Sequence, residues 1–287
     1  MRLSAAVRFL LPVGCLLFLL LNPAIAGEAV LSRTEFFLER VFPTLFPALC
    51  LSGMVATSSW VSRLYRFPFG VELTVWLLGV LCGFPVGART AYLLYKSGRI
   101  TKTRAEFLCG FSNLASAPFL VGVVGNALFG HPAFGVLLVG LQGGCSLLTA
   151  GVLYLCLHPS CRGIGTLPAG ERGLLSAITA GTRTAGEVGG MLIFFGAAAD
   201  CLRKSFPIAG ILPALWTSLL EFSAGCGEAA LLGEGGKLLA AVAVGFSGLC
   251  VLGQVSAVTK GELSLLPYFG GKVIQAALMG TAVWLLV

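Results

Sequence analysis

The side chains able to do chemistry in this sequence are few and sit among breaks in apolar runs. Arg89 closes the stretch Leu81-Cys-Gly-Phe-Pro-Val-Gly-Ala-Arg89, where an apolar run is interrupted and a guanidinium follows within a turn. An unpaired arginine in hydrocarbon costs about 2.5–3.5 kcal/mol on insertion scales, so it faces a cavity or a partner. Beside a break made by Gly83, Pro85 and Gly87 it would either bind an anion or reach back to the basic loop at 96–104. Ser112, Asn113 and Ser116 precede a second interruption at Pro118. They would hold a polar solute on freed backbone groups, or pack helices through small residues. Ser247 and Gln254 lie in a matching stretch, and a buried glutamine there needs a ligand or a neighbouring helix as partner. Glu187, Asp200, Glu221 and Glu228 lie in or near apolar segments of the second half. Glu221, beside Phe222-Ser-Ala-Gly225, would carry a coupling proton or act as counter-ion to Arg89 or Lys272.

Other chemistries find no pattern to rest on. No G-x-S-x-G, phosphate loop or H-E-x-x-H occurs, which argues against an enzyme. His131 and His158 each precede a proline near a segment end and read as loop residues. The ten cysteines are scattered without a C-x-x-C pair, so neither a metal nor a disulfide framework is expected, and no cofactor is implied.

The elements that must position these residues follow from composition. The 287 residues are 57% hydrophobic and 11% charged, against about 25% charged in ordinary globular domains. So little charge cannot cover a water-soluble fold, and the chain reads as an all-α polytopic membrane protein in a lipid bilayer. The period-2 alternation of a membrane barrel is missing. The net charge of +7 is a loop property of the kind positive-inside bias produces, and nothing suggests nucleic acid.

Apolar segments run at about 9–26, 41–60, 71–95, 105–129, 132–157, 184–202, 207–232, 237–258 and 268–287. Arg2, Arg8, the run from Phe9 and the triplet Ala24-Ile25-Ala26 have the parts of a signal peptide cleaved after Ala26, or of a retained first helix, over 1–35. The polar break at 158–173 divides the rest into 36–157 and 174–287. These halves echo each other: Phe84 and Gly87 in Phe222 and Gly225, and Gly110-Phe-Ser112 in Gly245-Phe-Ser247, in the same order and at nearly equal spacing. Arg63 and Arg66 precede segment 71–95 and Lys96, Arg99, Lys102 and Arg104 follow it. Both flanks reach the same side only if the segment turns back at Gly83–Gly87 as a re-entrant hairpin. One such hairpin per half leaves three crossings each, which makes two inverted repeats with interrupted helices meeting near the midplane. Arg203 and Lys204 then fall on the side that positive-inside bias disfavours.

Several of these motifs together resemble a known family. Gly83-Phe-Pro-Val-Gly-Ala-Arg89, Ser97-Gly-Arg-Ile-Thr101, Asn113, Ala117-Pro-Phe119 and Gly245-Phe-Ser-Gly-Leu-Cys-Val251 with Gln254 and Tyr268 are similar to blocks of the YlbJ- and SpoVV-type sporulation integral membrane proteins. That group belongs with the nucleoside recognition or Gate domains. Leu45-Phe-Pro47 and Gly189–Phe195 fit two further positions, so the resemblance covers about 36–280. It implies a bacterial multi-pass protein of the cell membrane, or of the outer forespore membrane, that moves a small anion such as dipicolinate. The central site it implies holds Arg89, Asn113, Ser247 and Gln254. A non-transporting scaffold and a nucleoside carrier leaning on Asn113 and Gln254 are the alternatives, and self-association is left open. Leu252-Gly253 stands where the family pattern has a histidine before Gln254, which bears on the substrate and not on the fold.

Overall fold

The computed structural model describes residues 13–14, 16–164, 173–206 and 208–287. Arg2, Arg8, the first residues of the run from Phe9 and residues 165–172 of the 158–173 break lie outside the described residues. Among the described residues the chain is helical with no strand. Helix α1 (Pro23–Phe36) continues through a π-helical stretch (Phe37–Val41) into α2 (Phe42–Thr57). The sequence separates apolar segments at 9–26 and 41–60, whereas the helix runs straight through the charged residues between them. Two of those charges are paired to a neighbouring helix. Arg33 grips Asp200 with two bonds of 2.7 and 2.6 Å, and Glu28 meets Lys204 at 2.7 Å.

The remaining helices are α3 (Ser59–Leu64), α4 (Gly70–Cys82), α5 (Val86–Lys96), α6 (Lys102–Ser112), a π-helical stretch (Phe119–Leu128) and α7 (Pro132–Leu157). The second half contains α8 (Leu174–Ser205), α9 (Ile211–Leu220), α10 (Phe222–Ala230), α11 (Gly236–Phe246), α12 (Gly248–Val258) and α13 (Leu266–Leu286). Among the described residues five helical stretches are long and apolar enough to cross a membrane: Pro23–Thr57, Pro132–Leu157, Leu174–Ser205, Gly233–Val258 and Leu266–Leu286.

The course of α4 and α5 follows from one buried ion pair. Arg104, two residues into α6, holds Glu72, near the start of α4, through bonds of 2.7 and 2.8 Å. Only five residues join the end of α5 to α6. The start of α4 and the end of α5 therefore share one end of the molecule, and the pair is a hairpin with its tip at Gly83-Phe84-Pro85. In the second half α9 and α10 pack along each other, with Gly225 against Ser218, and turn at Glu221. The two hairpins open at opposite ends. Lys237, just after the second hairpin, lies 5.6 Å from the Phe134 ring near the start of α7, across the molecule from the Arg104–Glu72 end.

Each hairpin tip lies beside an interrupted helix. A Cβ at Gly87 would stand 2.3 Å from the Ser112 carbonyl oxygen, and one at Gly83, which has φ +80°, would stand 2.7 Å from the Ser116 Cβ. Only glycine permits that approach. The second tip meets the α11–α12 break in the same way, with Gly248 against the Ser218 and Leu220 carbonyls. The echoed glycines also share a job, since Gly110 and Gly245 both pack against the backbone of α13. Arg203 and Lys204, the awkward cations of the charge pattern, are each ion-paired, at 3.1 Å to Glu228 and 2.7 Å to Glu28.

Candidate functional site

The two tips touch through the echoed aromatics. The Phe84 and Phe222 rings are 5.4 Å apart and nearly perpendicular, and Phe119 lies 5.4 Å from Phe222. Around them is a cavity lined by Gly83, Phe84, Ser116, Phe222, Ser223 and Gln254, with walls from α2 and α8. It offers about 50 Å³ to water centres, room for about four waters.

Behind Phe84 stands a residue that the sequence offers only as a possible partner for an acid. Lys272 on α13 is 1% exposed. Its Nζ donates to the Asn113 carbonyl at 2.6 Å and to Gln275 Oε1 at 3.0 Å, and lies 5.3 Å from the Phe84 ring and 5.9 Å from the Tyr268 ring. Among the described residues no carboxylate forms an ion pair with it. An ammonium has three donors and two are engaged. The Asn113 amide and the Tyr268 hydroxyl are buried and face each other outside hydrogen-bond geometry, and Gln254 Oε1 is buried and accepts no hydrogen bond. Buried polar atoms without partners are rare and call for an explanation such as a bound solute.

The interruption between α6 and Phe119 is held open by side chains from two other helices. Gln142 on α7 accepts from the Ala115 amide at 3.1 Å and donates to its carbonyl at 2.9 Å. Gln275 donates to the Phe111 carbonyl at 3.3 Å, and Lys272 takes the Asn113 carbonyl. Non-helical backbone at membrane depth persists only where protein or trapped water satisfies it. Gln142, Gln275 and Tyr268 complete the site, and only Tyr268 was visible beforehand, through the family resemblance. The available signal was a glutamine inside an otherwise largely apolar helix, Gln142 on α7 and Gln275 on α13.

The residues singled out from sequence divide into groups. Gly83, Ser116 and Gln254 line the cavity, and Gln254 donates to the Cys250 sulfur at 3.3 Å. Pro85 caps the start of α5, Gly87 supplies the close approach, and Ser112 bonds back to the Leu108 carbonyl at 2.7 Å. Asn113 is at the junction through both its carbonyl and its amide. Ser247 forms the second break with φ +69° and bonds within its own helix to Val244. Glu221 is wholly buried and caps α10, accepting from the Ser223 hydroxyl and from the Ser223 and Ala224 amides at 3.0 and 2.8 Å. Carboxylates favour that position because a helix start presents unpaired N–H groups. Arg89 is buried on α5 and donates to the Leu49 carbonyl on α2 at 2.9 Å. It ties the first hairpin to α2 and is not among the cavity-lining residues.

The chain is 28% identical over 128 residues to the sporulation integral membrane protein YlbJ of Bacillus subtilis (strain 168), a match covering 41% of this chain. It spans 31% of that relative's length. No family model matches the chain, and no solved structure matches it. The distant relationship to YlbJ and the five apolar spans identify a multi-pass membrane protein.

Proposed function

We propose that this chain is a sporulation-associated membrane transporter of a small anionic solute, a dicarboxylate of the dipicolinate kind, with the plan of the nucleoside recognition or Gate proteins. The observation that carries the reading is Lys272, a buried ammonium without a carboxylate partner at the junction of the two hairpin tips. Charge-assisted hydrogen bonds to a carboxylate are about twice as strong as neutral ones, and the Asn113, Tyr268 and Gln254 groups would complete the solute's shell. The sporulation context comes from the YlbJ relationship alone. A nucleoside is the second reading, favoured by the two amide side chains with unpartnered atoms, Asn113 and Gln254, since a base presents both donors and acceptors.

The test is uptake of labelled dipicolinate, simple dicarboxylates and nucleosides into proteoliposomes, with Lys272→Met and Arg89→Ala beside the wild type. The reading expects dicarboxylate uptake that Lys272→Met abolishes. Arg89→Ala asks whether the second cation near the tip contributes. Nucleoside uptake alone would replace the substrate, and no uptake of any solute would leave a non-transporting scaffold.

A further inference from the structure

On the outer surface, away from the hairpin tips, two cavities adjoin. One is a groove of about 410 Å³ between α4 and α7, floored by Phe107 and Phe111 and walled by Leu73, Trp76 and Leu147. Its polar groups are tied off: Trp76 Nε1 donates to Ser146 at 2.7 Å, and the Glu72 carboxylate is held by Arg104. The other, of about 520 Å³, is a mouth lined by Arg66, Arg162 and the Pro159–Gly163 loop. Phe69 and Tyr154 line both, with rings 6.1 Å apart, so groove and mouth are continuous.

The mouth is built and not merely exposed. The Ile164 amide donates to the Tyr65 carbonyl at 2.7 Å and the Phe69 amide to the Cys161 carbonyl at 3.1 Å. Gly163 lies so close to the Arg66 carbonyl that a Cβ would stand 1.9 Å from it. Arg162 is fixed in turn by Arg104, which donates to its carbonyl at 2.8 Å. These contacts bring two exposed arginines to the lining of one mouth, and no carboxylate among the described residues pairs with either. The neighbouring segment has the character of a membrane interface. Trp60 and Phe67 are 74% and 64% exposed, and Arg63 stacks on the Trp60 ring at 4.5 Å. Aromatic side chains gather at headgroup level.

We infer that groove and mouth together bind one anionic phospholipid, with its phosphate between Arg66 and Arg162 and an acyl chain in the α4–α7 groove. Charge complementarity selects a lipid over a second copy of this chain: an apolar slot that ends in paired cations matches an acyl chain that ends in a phosphate. Basic pockets between membrane helices bind anionic headgroups on this physical ground. The site does not depend on the transport reading.

The experiment titrates the purified full chain in neutral detergent with phosphatidylglycerol or phosphatidylcholine and counts retained lipid by native mass spectrometry. The wild type is expected to retain phosphatidylglycerol in preference. Arg66→Gln with Arg162→Gln should weaken that lipid roughly thirtyfold, from about one surface-cation contribution each, and weaken phosphatidylcholine, whose choline offsets its phosphate, by much less. Gly151 faces open space in the groove, so Gly151→Leu should fill it and reduce retention of both lipids. Both variants leave the buried core untouched, and a melting curve for each verifies folding. An unchanged phosphatidylglycerol preference in the double variant, or unchanged retention in Gly151→Leu, overturns the site. Disulfide cross-linking of two chains through Leu147→Cys would overturn it in favour of self-association.

Discussion

Replacing Lys272 with methionine separates a transport site from a structural clamp. The apolar stem is retained and the ammonium is lost. The Asn113 carbonyl and Gln275 Oε1, now held at 2.6 and 3.0 Å, lose their donor. An orphaned buried acceptor costs about 1–3 kcal/mol. Against this, removing the ammonium relieves its own desolvation, which is several kcal/mol for a buried ion. The two terms are opposite in sign and similar in size, so the folded state should change by no more than about 2 kcal/mol. Ligand binding has no such compensation. Loss of one hydrogen bond to a charged group, about 1.5–3 kcal/mol, weakens a dicarboxylate by roughly 10- to 150-fold.

The assay is thermal stabilisation and calorimetric titration with dipicolinate, using Lys272→Met and Lys272→Arg in detergent. Methionine should fold and lose binding, and arginine should restore part of it. A folded methionine variant that binds dipicolinate within twofold of wild type would refute the assignment. A methionine variant that is strongly destabilised, with arginine restoring stability and no binding, would make Lys272 a clamp for the Asn113 carbonyl and nothing more.

Three further expectations follow from the geometry. Gly87→Ala places a Cβ 2.3 Å from the Ser112 carbonyl and should lower stability by about 1–3 kcal/mol; Gly122→Ala, with open space around it, should melt with the wild type. Gln142→Leu strips both bonds from Ala115, at about 1–3 kcal/mol for each orphaned group, read as a shift in the denaturation midpoint. Glu262, in the loop before α13, is held below the ordinary carboxylate range by the Tyr92 hydroxyl and by Lys96. Its contribution is therefore complete above the unfolded value of about 4.3 and is lost as pH falls through the lower folded value. Thermal unfolding at pH 7 and in mild acid should show a fall on acidification that Glu262→Gln reduces.

The features legible in the sequence were those written as local backbone chemistry. Gly83-Phe84-Pro85 announced a turn inside an apolar run, and charge on both flanks implied that the run doubles back. The Phe84–Phe222 and Gly110–Gly245 echoes marked equivalent places in the two halves. Partnership was not legible. Arg89 and Lys272 are both single cations in apolar stretches, and no rule of composition says which will find a carbonyl on α2 and which will stand at the junction of the tips. Gln142 and Gln275 were passed over for the same reason, since their role lies in satisfying a backbone break some 27 and 164 residues away in sequence. The continuity of the helix through Glu28 and Arg33 is not legible either, since their partners Lys204 and Asp200 lie far away in sequence.

The two halves echo each other in sequence, yet they satisfy their interruptions by different means, and this concentrates the chemistry on one side. The second half is self-contained: Glu221 caps α10 from within its own turn, and the Ser247 hydroxyl bonds to Val244. The first half borrows. Its exposed carbonyls and amide between Phe111 and Ala115 are met by Gln142 from α7 and by Lys272 and Gln275 from α13. A break that caps itself engages its carboxylate with its own helix start, whereas a break served by a long cationic side chain brings an ammonium, with a donor to spare, to the centre. Phe84 both lines the small cavity and lies 5.3 Å from that ammonium. On the transport reading, movement of the first hairpin tip against Phe222 is therefore the step that would connect the cavity with Lys272, and α13, which carries Lys272 and packs on both interrupted helices, is the element through which the halves would respond to each other.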